Sequence, residues 1–283
     1  MQGPGIPSID LTNIEALILD IDGVLYEGNR ALPGAVELLA HLVQNETPHV
    51  LLTNNTTRTL DQHVVKLAAL GMPISPESIV TAARVTALVL AGEAAAGARC
   101  MVIGEAGLVE ALELAGFQLT LNGYSDVDYV VVGMDRKFTY AKLHEAQQAI
   151  LAGATFIATN RDATYPIEGN VIPGGGSIVA AVATAAEKEP LLIGKPSAEA
   201  GKLITHAAGV EPHEALMVGD RLETDIEMGR RAGLLTCLVL TGISTRQEAE
   251  ALPPESQPHW IVDTIQQIPD ILEGRVALNE GAR

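Results

Sequence analysis

Short apolar runs alternate with longer stretches of mixed character along the chain. Ile14–Ile21, His49–Thr53, Arg99–Ile103, Asp128–Gly133, Thr155–Ala158, Leu191–Ile193, Ala215–Val218 and Leu235–Leu240 are rich in Val, Ile and Leu. Continuous runs of that kind predict strands covered on both faces rather than strands with one wet side. Between them, Ala35–Gln44, Leu60–Leu70, Tyr140–Leu151, Ser197–Ala208 and Glu223–Ala232 carry helical spacing. Gly71, Gly116, Gly153, Gly209 and Gly233 fall where helices should stop, and Ser197 and Thr224 fall near helix starts. Strand and helix alternating in this way predict an α/β protein with a Rossmann-like, doubly wound parallel sheet.

Polar residues behind the predicted strands gather in two places, 20–58 and 194–225. Ligands bind beyond the carboxyl ends of such strands, so the two clusters are expected in one domain built from residues 1–81 and 189–283. Residues 82–188 have their own strand–helix alternation and read as an inserted, smaller α/β domain. The helical stretch Pro76–Ala96 and the charged Glu187-Lys188-Glu189-Pro190 mark the expected junctions.

Asp20-Ile21-Asp22-Gly23 ends the first apolar run. Residues two apart on a strand face the same way, so both carboxylates can start toward one site, and Gly23 frees the backbone to turn. Adjacent carboxylates repel unless a cation lies between them, and a divalent metal with oxygen ligands meets that need. A second acidic cluster, Gly219-Asp220-Arg221-Leu222-Glu223-Thr224-Asp225, stands behind Ala215–Val218. Thr53-Asn54-Asn55-Thr56-Thr57-Arg58 follows another strand and supplies hydroxyl, amide and backbone donors for an anion. Gly194-Lys195-Pro196 places a cation at a strand end. Pro173-Gly174-Gly175-Gly176-Ser177 and Gly104-Glu105-Ala106-Gly107 lack the spacing of a P-loop or dinucleotide fingerprint and read as turns.

Composition narrows the function classes. The 283 residues carry 18 basic and 35 acidic side chains, a formal charge of −17, which argues against a nucleic-acid surface. Cys100 and Cys237 lie in apolar runs with no metal-ligand spacing and read as buried thiols. The seven histidines form no zinc pattern, and no G-x-S-x-G elbow is present. No apolar stretch is long enough to cross a membrane, and no basic segment followed by an apolar one opens the chain, so a cytoplasmic protein is expected.

In order along the chain, Asp20-Ile21-Asp22-Gly23-Val24-Leu25, Thr53-Asn54-Asn55 with Arg58, Gly194-Lys195-Pro196 and Gly219-Asp220-Arg221-Leu222-Glu223-Thr224-Asp225-Ile226 resemble the haloacid dehalogenase superfamily. More narrowly they look like its phosphatase branch with a large α/β cap, which holds NagD-like, 4-nitrophenyl phosphate, phosphoglycolate and pyridoxal phosphatases. The resemblance covers nearly the whole chain, with 82–188 where the cap belongs. It implies hydrolysis of small phosphomonoesters through an aspartyl-phosphate, with Asp20 as nucleophile and Asp22 as general acid and base. It also implies Mg²⁺ held by Asp20, the Asp22 backbone carbonyl and Asp220, with Asp225 behind them. Thr53, Asn54 and Asn55 would bind the phosphoryl oxygens, and Lys195 would neutralise them and the nucleophile.

Specificity residues are expected within Thr159–Pro166, notably Asn160 and Arg161, because the family's substrate loop lies in that region, and within Ile172-Pro173-Gly174-Gly175-Gly176. A homodimer through the cap is a further expectation. Two other readings use the same residues: phosphoryl transfer to an acceptor other than water, and an idle sensor of a phosphometabolite. The presence of Asp20, Asp22, Lys195 and Asp220 together counts against the sensor.

Overall fold

The computed structural model describes residues 13–120, 123, 125–167 and 170–279. The absence of a leader was read on residues 1–12, which lie outside the described residues. Six strands make one wholly parallel sheet in the order Trp260–Val262, Leu235–Val239, Ala215–Gly219, Ala16–Asp20, His49–Thr53, Ile79–Thr81. Ala16–Asp20 is buried along its whole length, and Leu17, Ile18 and Leu19 have no exposure. Each such aliphatic side chain contributes roughly 1.5–3 kcal/mol by leaving water. Leu17 and Leu19 pack with the helices Ala35–Gln44 and Leu60–Ala69 on one face, and Ile18 packs on the other.

From Ala16–Asp20 the chain winds outward to His49–Thr53 and Ile79–Thr81, and later in the opposite direction from Ala215–Gly219. The winding reverses between Ala16–Asp20 and Ala215–Gly219, whose registers align Leu19 with Val218. Open α/β sheets place ligands at that reversal, beyond the strand ends. Asp20 and Asp220 therefore stand on its two sides.

A second sheet is formed between these passes, in the order Leu191–Leu192, Thr155–Ala158, Tyr129–Val132, Arg99–Ile103, Gln118–Thr120, again parallel. Tyr140–Leu151 and Gly175–Ala186 cover one face, and Ala82–Glu93 with Ala106–Leu114 lie against the other. An antiparallel hairpin, Thr164–Ile167 with Asn170–Pro173, projects from this unit.

Several elements differ from expectation. Pro76–Ala96 is not one helix: a 3-10 turn at Pro76–Ser78 leads into the edge strand Ile79–Thr81, and the helix runs Ala82–Glu93, capped by the Thr81 hydroxyl. Leu191–Leu192, expected in the main sheet, pairs instead with Thr155–Ala158 of the second sheet, which thus reaches past residue 188. The junction drawn at 82 also crosses a continuous apolar cluster, in which Ala83, Val85 and Leu90 join Ile18 and Met217 to Val102 and Val131. Among the described residues, no helix is long and apolar enough to cross a membrane.

Candidate active site

Four loops at the carboxyl ends of the strands build one cleft. Asp20 is the last residue of Ala16–Asp20, Thr53 the last of His49–Thr53, and Asp220 follows Ala215–Gly219 directly. Lys195 follows the short strand Leu191–Leu192. The cleft is lined by Asp20, Asp22, Thr53–Thr56, Lys195 and Asp225 from this side, and by Met134, Asn160, Asp162 and Thr164–Pro166 from the second unit. The cavity holds only about 50 Å³, room for a few waters or a group of phosphoryl size.

At its floor the Lys195 ammonium is ion-paired with Asp20 Oδ1 and, at 2.6 Å, with Asp225 Oδ1, and all three side chains are buried. Burial alone lowers a lysine, but the two facing carboxylates outweigh it and hold Lys195 above its ordinary value. Asp225 spends its other oxygen on the backbone N–H groups of Asp220 (3.2 Å) and Arg221 (3.0 Å). Asp220 Oδ2 accepts the Ile243 N–H at 2.9 Å. The Leu222–Ile226 segment coils as a π turn before the helix Glu227–Ala232, and this brings Asp225 back to the loop it supports.

Asp20, Asp220 and Asp225 bring carboxylate oxygens within 4.8 Å of one another. Three buried carboxylates face one lysine, so negative charge is in excess. Burial pushes Asp20 up, and burial followed by Asp225 pushes Asp220 up to about 7. The backbone comes close to this cluster at two glycines. A Cβ on Gly23, whose φ is +87°, would lie 2.5 Å from Asp220 Oδ2, and one on Gly242 would also fall on that oxygen. Hard oxygen donors, surplus negative charge and glycine clearance together fit a divalent cation. Asp22 does not add its carboxylate to this group.

Asp22 is turned the other way. Its Oδ2 accepts the Thr53 hydroxyl at 3.4 Å and its Oδ1 the Tyr165 hydroxyl at 3.3 Å. Burial raises its pKa, opposed by Arg58 and Lys66. Burial and then the Asp22 charge push Tyr165 up to about 12, so its phenol is protonated at neutral pH.

The Thr53–Arg58 loop differs in detail from expectation. The Asn54 side chain is committed to the lysine loop: Oδ1 accepts the Lys195 N–H (3.1 Å), and Nδ2 donates to the Lys195 carbonyl (3.2 Å) and to Asp162 Oδ2 (3.1 Å). Asn55 Oδ1 accepts from the Thr57 N–H and hydroxyl, and its Nδ2 donates to Tyr165. Asn160 lies in the cleft, where its Nδ2 donates to the Asn54 carbonyl at 2.9 Å. Arg161, its neighbour, does not: it points to the exterior and pairs with Glu189 at 2.7 Å. Both lie in an irregular loop, where Asn160 Oδ1 accepts the Asp162 N–H at 3.1 Å and the Arg161 side chain is left outside.

Sequence reasoning passed over Arg221, Met134 and the Gly242–Ser244 turn. Arg221 lines the cleft and donates to the Thr164 carbonyl at 3.3 Å. The turn carries the Ile243 N–H that holds Asp220, and the only signal for it was its position after the strand Leu235–Val239.

Comparison with known proteins identifies the family. Residues 17–118 match the haloacid dehalogenase-like hydrolase family, and residues 192–268 match a HAD-hydrolase-like family. An acid sugar phosphatase of Staphylococcus saprophyticus is 35% identical over 246 residues, 86% of this chain and 94% of that protein. The structure of NagD from E. coli K-12 superposes with a TM-score of 0.82 at 33% identity, covering 90% of this chain and 98% of NagD. A glycerol phosphate phosphatase from Mycobacterium tuberculosis, solved in complex with magnesium, gives a TM-score of 0.82 at 34% identity and covers 89% and 75%. The chain belongs to the haloacid dehalogenase-like hydrolases, among the phosphatases of the NagD-like branch.

Proposed function

We propose that the protein hydrolyses small phosphomonoesters, with Mg²⁺ as cofactor and Asp20 as the nucleophile. The observation that carries this reading is the division of labour between two carboxylates one residue apart. Asp20 sits among Lys195, Asp220 and Asp225, while Asp22 is held away from them by Thr53 and Tyr165.

Asp20 and Asp220, with the Asp22 backbone carbonyl, would hold the cation, and Asp225 would orient both Lys195 and the Asp220 loop. When bound, the cation supplies charge neutralisation at the phosphoryl oxygens. Lys195 offsets charge on Asp20 and on the phosphoryl group, the kind of preorganised donor worth roughly 10²–10³ in rate. Asp20 attacks phosphorus, the P–O bond to the alcohol breaks, and an acyl phosphate forms on Asp20. Asp22, whose burial favours its protonated form, gives its proton to the departing oxygen and then takes one from the water that hydrolyses the intermediate. Residues 82–188 act as a cap that excludes bulk water and reads the alcohol. Glycerol phosphate and sugar phosphates, the substrates in the names of two relatives, head the candidate list.

The test is phosphate release from a panel of phosphomonoesters with magnesium, with excess EDTA, and by Asp20→Asn. Metal-dependent release that disappears in Asp20→Asn is the expected result. Acid-quenched enzyme should carry phosphate in the wild type and none in Asp20→Asn. Activity that survives this substitution would sink the assignment.

A further inference from the structure

One oxygen at the edge of the cleft is met from three sides. The Tyr165 hydroxyl donates to Asp22 Oδ1 at 3.3 Å and accepts from Asn55 Nδ2 at 3.0 Å and Arg58 Nη1 at 3.3 Å. One donated and two accepted bonds fill the capacity of a phenolic oxygen. Tyr165 belongs to the Thr164–Ile167 hairpin strand, whereas its three partners lie in the loops after Ala16–Asp20 and His49–Thr53. Asp22, Asn55 and Tyr165 all line the cleft.

The cavity beside the Tyr165 hydroxyl is small, about 50 Å³. The alcohol of a phosphomonoester has to extend from phosphorus toward the group that protonates it, which is Asp22 in the reaction proposed above. The Tyr165 hydroxyl is bonded to that same carboxylate, so an alcohol taking its place there would meet Asn55 Nδ2 and Arg58 Nη1.

We infer that Asn55 and Arg58 form the leaving-group subsite, for which the Tyr165 hydroxyl is a stand-in, and that it selects alcohols carrying a second oxygen on the carbon next to the ester. The inference rests on the phosphatase reading. A hydroxyl or carboxylate at that place restores both hydrogen bonds. An apolar group strands the buried Asn55 amide and the half-buried Arg58 guanidinium, and unmade bonds of that kind are more costly than made ones are favourable. Sites built to bond a substrate oxygen reject the analogue lacking it strongly.

Glycerol 3-phosphate and propyl phosphate differ only in the two hydroxyls and supply the test. The wild type should prefer glycerol 3-phosphate in kcat/KM by tenfold or more. Arg58→Met should reduce that preference at least tenfold, and Arg58→Lys, the milder change, should reduce it less. Tyr165→Phe removes the competing hydroxyl, so the preference should hold or rise, with KM for glycerol 3-phosphate lowered. Opposite movements of the ratio in the two variants are an outcome that loss of structure does not produce. Equal losses on both esters in Arg58→Met and Arg58→Lys, or a preference that falls in Tyr165→Phe as it does in Arg58→Met, would overturn the subsite. If the wild type turns over both esters equally, the subsite fails while the phosphatase reading stands. If it turns over neither ester but hydrolyses others of the panel, the subsite alone fails; release from no ester of the panel sinks both.

Discussion

Lys195 and Asp225 face each other at 2.6 Å in the interior, and the second Asp225 oxygen holds the N–H groups of the loop that begins at Asp220. One carboxylate thus ties the cation beside Asp20 to the position of Asp220. Breaking a buried pair on one side leaves a charge without a partner, which costs about 3–5 kcal/mol.

Replacing Lys195 with Met is therefore expected to act on both stability and rate. Three buried carboxylates lose their one lysine, so unfolding in metal-free buffer should become easier by about 3 kcal/mol or more. Added magnesium should recover more of the melting temperature in this variant than in the wild type, because the cation replaces part of the missing charge. Turnover should drop by ~10²-fold or more even at saturating magnesium. Melting curves with and without the metal, beside phosphate-release rates, check both halves.

Gly242 is a sharper test of the acidic cluster than any of its carboxylates. A methyl group there would overlap Asp220 Oδ2, so Gly242→Ala should weaken magnesium binding by tenfold or more while the fold persists. Gly209 supplies the contrast. It has a positive φ, +68°, and no atom lies within 4 Å of its Cβ position. Gly209→Ala should cost only about 1–2 kcal/mol of backbone strain and leave the magnesium affinity unchanged. Titration of magnesium by calorimetry, with denaturant melts alongside, separates the two effects.

Asn160 and Arg161 are adjacent in sequence and opposite in consequence. Asn160 joins the second unit to the Asn54 carbonyl inside the cleft, so Asn160→Ala should change kcat/KM by tenfold or more and by different factors for different esters. Arg161 makes an exterior pair with Glu189, both half-exposed or more. Such pairs contribute at most about 1 kcal/mol, and Arg161→Ala should keep every kcat/KM within twofold. A change in substrate ratios on losing Arg161 would contradict its placement.

His63, on the Thr59-capped helix Leu60–Ala69, is buried beneath the Asn55 loop and leaves Nε2 without a partner. Burial, and then Arg58, lower its pKa from 6.5 to about 4. The unfolded chain therefore takes up a proton before the folded one as pH falls. The stabilisation is complete above pH 6.5 and is lost on descending toward pH 4, by up to about 3 kcal/mol at ~1.36 kcal/mol per unit. Urea midpoints at pH 7 and pH 4.5 should differ less in His63→Gln than in the wild type. An unchanged difference would show that His63 titrates normally.

The acidic centre was legible because its residues follow apolar runs. Asp20 and Asp220 each terminate a fully buried strand, and continuous Val, Ile and Leu make such strands visible. Tyr165 was named only as part of an eight-residue stretch, because its hairpin strand is half-buried throughout and has no periodic apolar face. Asn160 could not be told from Arg161, since both lie in an irregular loop whose course no periodicity in the sequence reveals. Ile79–Thr81 and Trp260–Val262 span three residues each, too few for any period to register. The helix Gly175–Ala186 was hidden by its own start, where two glycines that lie against the Asn160–Thr164 segment read as a turn.

The place of Ala16–Asp20 between His49–Thr53 and Ala215–Gly219 also governs how the protein comes into being on the ribosome. The strand that ends at Asp20 is made well before its neighbour Ala215–Gly219, so one of its two edges stays open until some two hundred further residues have been translated. The whole second sheet, through Leu192, is synthesised in that interval. Contacts so distant in sequence form slowly, and an apolar strand with a bare edge invites pairing with other chains. During synthesis this strand is thus open to pairing with other chains until the arrival of Ala215–Gly219 covers its bare edge.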